Sequence, residues 1–505
     1  MNLRKRSSGI LLHLTSLPGR FGIGDLGPEA FQFASMLRRC GIGFWQLLPV
    51  NPIASSQYYS PYSSSSAMAG NELLVSPELL AIDEFFTDKQ LKKFHLPSAS
   101  KVRYDKVIAQ KTAMFQQAWT TWSDLHPLAP EFAEFKNTAR DWLDDFTLFS
   151  VLSENNSHSP WNTWKKEWRD RDPHALKKFA ENNIEHIEYE KWKQFLFDRQ
   201  WKMFRMWCAS HEVRLIGDLP FYVGFNSSDV WSHRNLFKIN ATGDMTHIAG
   251  VPPDYFNEDG QLWGMPVYDW NKVEEEKHQW WIQRVAKNIA MFDLIRLDHF
   301  RAFSAYWEVP APANDARGGR WIKTPGKKFF AVMKERFGGL PFIAEDLGDI
   351  DEEVITLRDS IPLPGMRILQ FAFDDAMPHS PYIPHNYSRS SVAYTGTHDN
   401  NTTRGWFSDD ATSENKKQLS RYVGKSVNEN NVAREMVRLC LASVADQAII
   451  PMQDLLNLGA DARMNTPSSV KNNWSWRLKK ELMTEQVERE IKTLVELYNR
   501  SSLNT

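Results

Sequence analysis

LIRLDHF, residues 294–300, reads as a short strand whose two faces differ in chemistry. Side chains alternate across a strand, so Arg296 and Asp298 share one face while the apolar Ile295 and Leu297 share the other. Helices would cover the apolar pair, and the polar pair would point into the interior of a closed sheet.

Seven further short apolar runs end in polar residues: GILLHL (9–14), GFWQLLPV (43–50), VRLIGDLP (213–220), FIAEDL (342–347), MRILQF (366–371), SVAYTGTHD (391–399) and DQAIIPMQDLL (446–456). Helical periodicity lies between several of them, as in 28–40 and 321–337. Eight strand-helix units predict an α/β fold, a (β/α)8 TIM barrel, with its chemistry at the C-terminal ends of the strands. Between the second and third strands lie about 160 residues, far beyond an ordinary crossover. Helical patterns at 101–125, 130–152 and 189–211 make this a mostly helical insertion beside the barrel mouth. The expected division is barrel in 1–52, inserted subdomain in 53–210, and the rest of the barrel in 211–505 with a lid loop at 250–270. A charged helix over 476–499 follows the last strand and leaves no room for a C-terminal β domain.

The 505 residues are 42% hydrophobic and 24% charged, with a formal net charge of -2 that argues against a nucleic-acid or anionic-membrane surface. Three cysteines, Cys40, Cys208 and Cys440, are too few and too dispersed for a disulfide framework or a Cys-rich metal site, which fits a reducing, cytoplasmic setting. The basic start, Arg4 to Arg6, precedes an apolar run that stops at His13, short of a secretory signal. No run reaches the ~20 apolar residues of a membrane span. The 20 Trp, 30 Phe and 14 Tyr have two readings, buried area for a large core or stacking faces for sugar rings, and composition does not separate them.

The strand ends carry Asp218, Asp298, Glu345, His398 and Asp399, which a barrel brings to one mouth. One strand-end acid is more often a cap than a catalyst; four acids with His and Arg at one rim point to an active site. Arg296 favours the ionised form of Asp298 and suits it to be a nucleophile. Glu345 then supplies the second acid of a glycoside mechanism. Two charges about 5 Å apart at an effective dielectric of about 20 repel by roughly 3 kcal/mol, about two pKa units, so both will not ionise easily. Glu345 is expected to stay protonated as the acid, with Asp399 stabilising positive charge in the transition state and His398 binding sugar hydroxyls. A metal-dependent barrel hydrolase has weaker support, since His13 has no second His two residues on. A catalytically silent carbohydrate-binding protein would have no use for the acids.

These residues resemble the 4-α-glucanotransferases (amylomaltases, or disproportionating enzymes; glycoside hydrolase family 77) of the α-amylase clan. The resemblance rests on GILLHLTSLPGRFGIGDLG (9–27), SPYSSSSAMAGNELL (60–74), GDLPFYVGFNSSDVW (217–231), GVPPDYFNEDGQLWGMPVYDW (250–270), IRLDHFRAF (295–303), IAEDLG (343–348) and YTGTHDNNTTRGW (394–406). It implies a nucleophile at Asp298, an acid/base at Glu345 and a stabiliser at Asp399. It further implies sugar contacts from Tyr62, Asp218, Asp254, Trp263, Arg296, His398 and Asn465, with Trp263 in an exposed loop. It implies no cofactor and no metal. The implied partners are α-1,4-glucans, with glucose among the acceptors, and the implied reaction is transfer of a glucan segment to a 4-hydroxyl; hydrolysis as in an α-glucosidase or amylase is the alternative, because the carboxylates alone do not choose between sugar and water. Ser63, Asn226 and Met265 depart from the residues common in the family and bear on subsite preference.

Overall fold

The computed structural model describes residues 5–253 and 257–504. Twelve strands are present among them: β1 (Ser7–Leu11), β2 (Phe44–Gln46), β3 (Arg214–Leu219), β4 (His247–Val251), β5 (Gln261–Pro266), β6 (Leu294–Leu297), β7 (Ala305–Pro310), β8 (Arg320–Lys323), β9 (Phe342–Ala344), β10 (Gly365–Ile368), β11 (Ser391–Tyr394) and β12 (Gln447–Pro451). Eight of them close into a barrel in the order β1-β12-β11-β10-β9-β6-β3-β2, every neighbour parallel. These are the eight runs read from the sequence. Except in β3, which includes Asp218, the polar end of each run continues past the observed strand into the loop above the barrel mouth.

Alternation places the apolar side chains as expected. Leu11, Phe44, Ile216, Leu294, Ile343, Ile368, Val392 and Ile449 form one buried cluster, the barrel interior. Ile295 and Leu297 join a different cluster with helix residues such as Trp281 and Phe330. Six of the tryptophans, Trp45, Trp161, Trp192, Trp231, Trp280 and Trp281, are among the largest fully buried side chains, so core packing accounts for much of the aromatic content.

The insertion between β2 and β3 is mostly helical, with long helices at Tyr104–Leu125, Ala129–Asn155 and Ile184–Ser210. The buried Lys111 ammonium ties it to the barrel, 3.2 Å from Asp25 after β1. Among the described residues no strand follows β12, and the last long helix covers Glu485–Leu497 rather than starting near 476. Among the described residues no helix is long and apolar enough to cross a membrane.

The sequence reading missed a second sheet. Strands β4, β5, β7 and β8 form an antiparallel sheet in the order β5-β4-β7-β8, built from the segments after β3 and β6. Much of the segment at 250–270 is therefore strand, and residues 320–323 are β8 rather than the start of a helix, which begins at Gly326.

Gly217 in β3 has no space for a larger residue, since a Cβ there would lie 2.3 Å from the ring of Phe292. Gly217→Ala is expected to destabilise the fold by roughly 1–3 kcal/mol through overpacking. A melting temperature equal to that of the unaltered chain would show that Phe292 gives way without cost.

Candidate active site

The register of two adjacent strands assembles the centre of the mouth. Asp218 on β3 stands directly opposite Arg296 on β6. Arg296 Nη1 donates to Asp218 Oδ1 at 2.8 Å and Oδ2 at 2.9 Å, and to Asp298 Oδ1 at 2.7 Å. Past the strand ends the ladder continues: Asp298 N–H donates to Leu219 O at 3.0 Å, and Glu345 N–H to Leu297 O at 3.1 Å. The acids after β6 and β9 are thus held side by side by main chain.

Burial pushes Asp218 up to about 6, with Arg296 opposing that rise. For Arg296, burial works against the charge, but Asp218 and Asp298 outweigh it and hold the guanidinium protonated. Glu345 is pushed up to about 8, first by burial; Arg296 lowers it, and the Asp298 charge raises it. Its carboxyl oxygens accept from His299 N–H at 2.7 Å and Leu347 N–H at 3.2 Å. At neutral pH Glu345 therefore holds a proton.

The loop after β11 supplies the opposite rim. His398 Nε2 lies 2.8 Å from Tyr62 OH and 3.3 Å from Asp399 Oδ2. Tyr62 OH donates to Asp218 Oδ2 at 2.8 Å, so its oxygen accepts from His398 Nε2–H. The Tyr62 and His398 rings stack at 5.4 Å. Asn465 Nδ2 donates to Asp399 Oδ1 at 2.6 Å. Burial would raise the pKa of Asp399, but the adjoining His398 ring and the Asn465 amide hold it well below the usual carboxylate range.

Tyr62, Asp218, Arg296, Asp298, Glu345, His398, Asp399 and Asn465 are linked by these contacts into one site. Trp263 also reaches it, though not from an exposed loop. It is half-buried on β5, with its ring edge-on to His299 at 4.9 Å and near Tyr222 at 5.9 Å. Asp254 lies outside the described residues. His299 was missed by the sequence reading. Its backbone is left-handed (φ 53°), which turns the N–H that follows Asp298 onto Glu345, and its ring joins Trp263 at the mouth. The signal available was its place next to a strand-end acid.

Among the described residues one trio, Glu154, His186 and Glu190, has ligand atoms close enough to hold a metal, all within 4.8 Å of one another. It lies on two long helices of the insertion, where Lys193 pairs with Glu190 at 2.8 Å.

The family model described as 4-alpha-glucanotransferase matches residues 12–484. The chain belongs to the 4-alpha-glucanotransferase family. It is 41% identical to the 4-alpha-glucanotransferase of Aquifex aeolicus, over 98% of this chain and 99% of the relative. The 4-alpha-glucanotransferase of Thermus thermophilus is also 41% identical, with 94% and 95% covered. The structure of the amylomaltase from Streptococcus agalactiae in complex with acarbose superposes with a TM-score of 0.95 at 36% identity, covering 98% of this chain and 100% of that one. The chain is accordingly an enzyme with 4-alpha-glucanotransferase activity, and neither the hydrolase alternatives nor the silent binder is favoured.

Removing one member of a buried ion pair leaves the other uncompensated, at a cost of about 3–5 kcal/mol. Arg296→Met is expected to lower the melting temperature sharply, and adding Asp218→Asn to restore much of the loss, because of the two carboxylates left stranded the fully buried one is gone. A double variant no more stable than Arg296→Met would show that the Arg296–Asp218 charge balance is not what holds this part of the site.

Proposed function

We propose that the enzyme transfers an α-1,4-glucan segment from a donor to the 4-hydroxyl of an acceptor glucan or glucose by double displacement. The observation that carries this reading is the pair of unlike acids on neighbouring strand ends: Asp298 on the Arg296 guanidinium, and a protonated Glu345. Asp298 attacks the anomeric carbon while the bond to the departing sugar breaks and its oxygen takes the proton of Glu345. The Glu345 carboxylate then removes the proton from the acceptor 4-hydroxyl, which attacks the same carbon and releases Asp298. Two inversions retain the α configuration. Asp399, fixed as an anion, stabilises the positive charge that develops on the sugar ring.

Tyr62, Asp218, Arg296, His398 and Asn465 frame the sugar at the bond that breaks, with Trp263 and Asp254 along the glucan beyond it. Residues 53–210 form a subdomain that walls the cleft, and 250–270 act as a lid. The substrates are maltooligosaccharides, amylose and glycogen-type chains, which fits the acarbose complex of the Streptococcus agalactiae relative. The setting is cytoplasmic carbohydrate metabolism.

Incubation with pure maltotriose is expected to give glucose plus a ladder of longer maltooligosaccharides by chromatography, and Asp298→Ala to lower turnover on the order of a thousandfold or more. Glucose and maltose alone, or an active Asp298→Ala variant, would sink the reading.

The acid must carry its proton in the first step. Turnover is therefore expected to fall as pH rises through about 8, where Glu345 deprotonates. Glu345→Gln should leave a small residual rate without that alkaline limb, measured on a donor with a good leaving group. A limb that persists in Glu345→Gln assigns it to another group.

A further inference from the structure

His398 touches Tyr62 and Asp399 through Nε2, but its other nitrogen, Nδ1, is buried with no partner. Asn401 Oδ1 is likewise buried and unpaired. The two residues are 6% and 7% exposed. Both line a cavity of about 20 Å³ whose wall also includes His13, Leu48, Gln453 and Met464. A buried polar atom left without a hydrogen bond is destabilising, and a polar cavity above roughly 10–15 Å³ admits one water.

The hydrogens can be assigned from their partners. His13 Nδ1 accepts from Leu48 N–H at 3.3 Å, so a neutral His13 ring carries its hydrogen on Nε2. The ring is neutral, since burial, with His398 adding to it, pushes His13 down to about 3. His398 has the same requirement at Nε2, because Tyr62 OH already donates to Asp218 and needs a donor from the histidine. A neutral His398 then presents a bare Nδ1, which needs a donor.

We propose that this cavity is a site for one ordered water and that His13 is a positioning residue acting through it. His13 Nε2–H donates to the water, which donates one of its hydrogens to His398 Nδ1. The buried Nδ1 of His398 gains a donor, and the hydrogen of His398 stays on Nε2, facing Tyr62 and Asp399. The consequence for turnover rests on the role proposed for Asp399; the tautomer does not.

Nitrogen-15 NMR of histidine-labelled enzyme, with His398 assigned by the signals lost in His398→Asn, reads the tautomer directly. The unaltered enzyme is expected to show His398 protonated on Nε2 and bare on Nδ1, and a high-resolution crystal structure to show one water in the cavity. His13→Phe keeps a ring but no donor. It is expected to shift the His398 signals and lower kcat about tenfold, equivalent to about 1.4 kcal/mol, with KM for maltotriose little changed. His13→Gln, which restores an N–H donor, should recover most of the rate. A hydrogen on Nδ1 in the unaltered enzyme, or a dry cavity, overturns the water site. His13→Phe with unaltered signals and kcat overturns the role of His13. Shifted signals with unaltered kcat support the water bridge and count instead against the role of Asp399. If His13→Phe fails to fold, the spectra of the unaltered enzyme and of His13→Gln decide alone.

Discussion

One guanidinium, Arg296, holds two carboxylates inside the mouth of the barrel, and the arrangement of the other acids depends on it. Asp218 beside it has a fully buried side chain, while that of Asp298 is 26% exposed. Burying such ions is expensive, and an apolar replacement of the whole set would often stabilise a fold as well or better. The cluster is therefore poorly explained by stability. Its effect is on placement: the guanidinium is bonded directly to Asp298, whereas Glu345, one strand away, is bonded to main-chain N–H groups and keeps its proton first because it is buried. Two similar carboxylic acids thus acquire different surroundings on neighbouring strand ends.

The third acid solves a different electrostatic problem. Asp399 has the His398 ring and the Asn465 amide where Asp298 has Arg296. These polar groups keep it ionised beside other acids. They also join the site across the barrel, because His398 leads through Tyr62 to Asp218 and so back to Arg296. Residues from β3, β6, β11 and the insertion share one hydrogen-bonded network, and a displacement of any of them is felt at the others.

The barrel was legible because its strands are short apolar runs with Gly9, Gly43 or polar residues at their ends, a pattern that survives without neighbours. The second sheet was not. Strand β8, RWIK, has both ends exposed and its two middle residues half-buried, and β5 includes Gly264 and ends in Pro266, so neither shows the alternation that marks a strand. Pairing with β4 and β7, distant in sequence, makes them strands. The same distinction separates the site residues. Asp298, Glu345 and Asp399 announced themselves as acids where apolar runs end. His299 joins through a left-handed backbone, and His13 approaches His398 from the opposite end of the chain. Only the fold supplies either relation.

The stretch 394–406 shows why capping chemistry and site chemistry need not compete. Asn400 Oδ1 accepts from Thr397 N–H at 2.8 Å and Thr397 Oγ1 at 2.9 Å, a turn closed by its own side chain. Thr402 Oγ1 accepts from Gly405 N–H at 3.0 Å and caps the short helix that follows. Beneath both, the buried Asp454 after β12 accepts from Thr395 Oγ1 at 2.5 Å and from Thr403 N–H and Oγ1 at 2.7 Å. The loop is therefore clamped on either side of His398 and Asp399 by a single carboxylate. An electrostatic group lowers a barrier only if it does not have to reorganise as charge develops. The ordinary turn and cap residues of this stretch supply the rigidity that the role proposed for Asp399 requires.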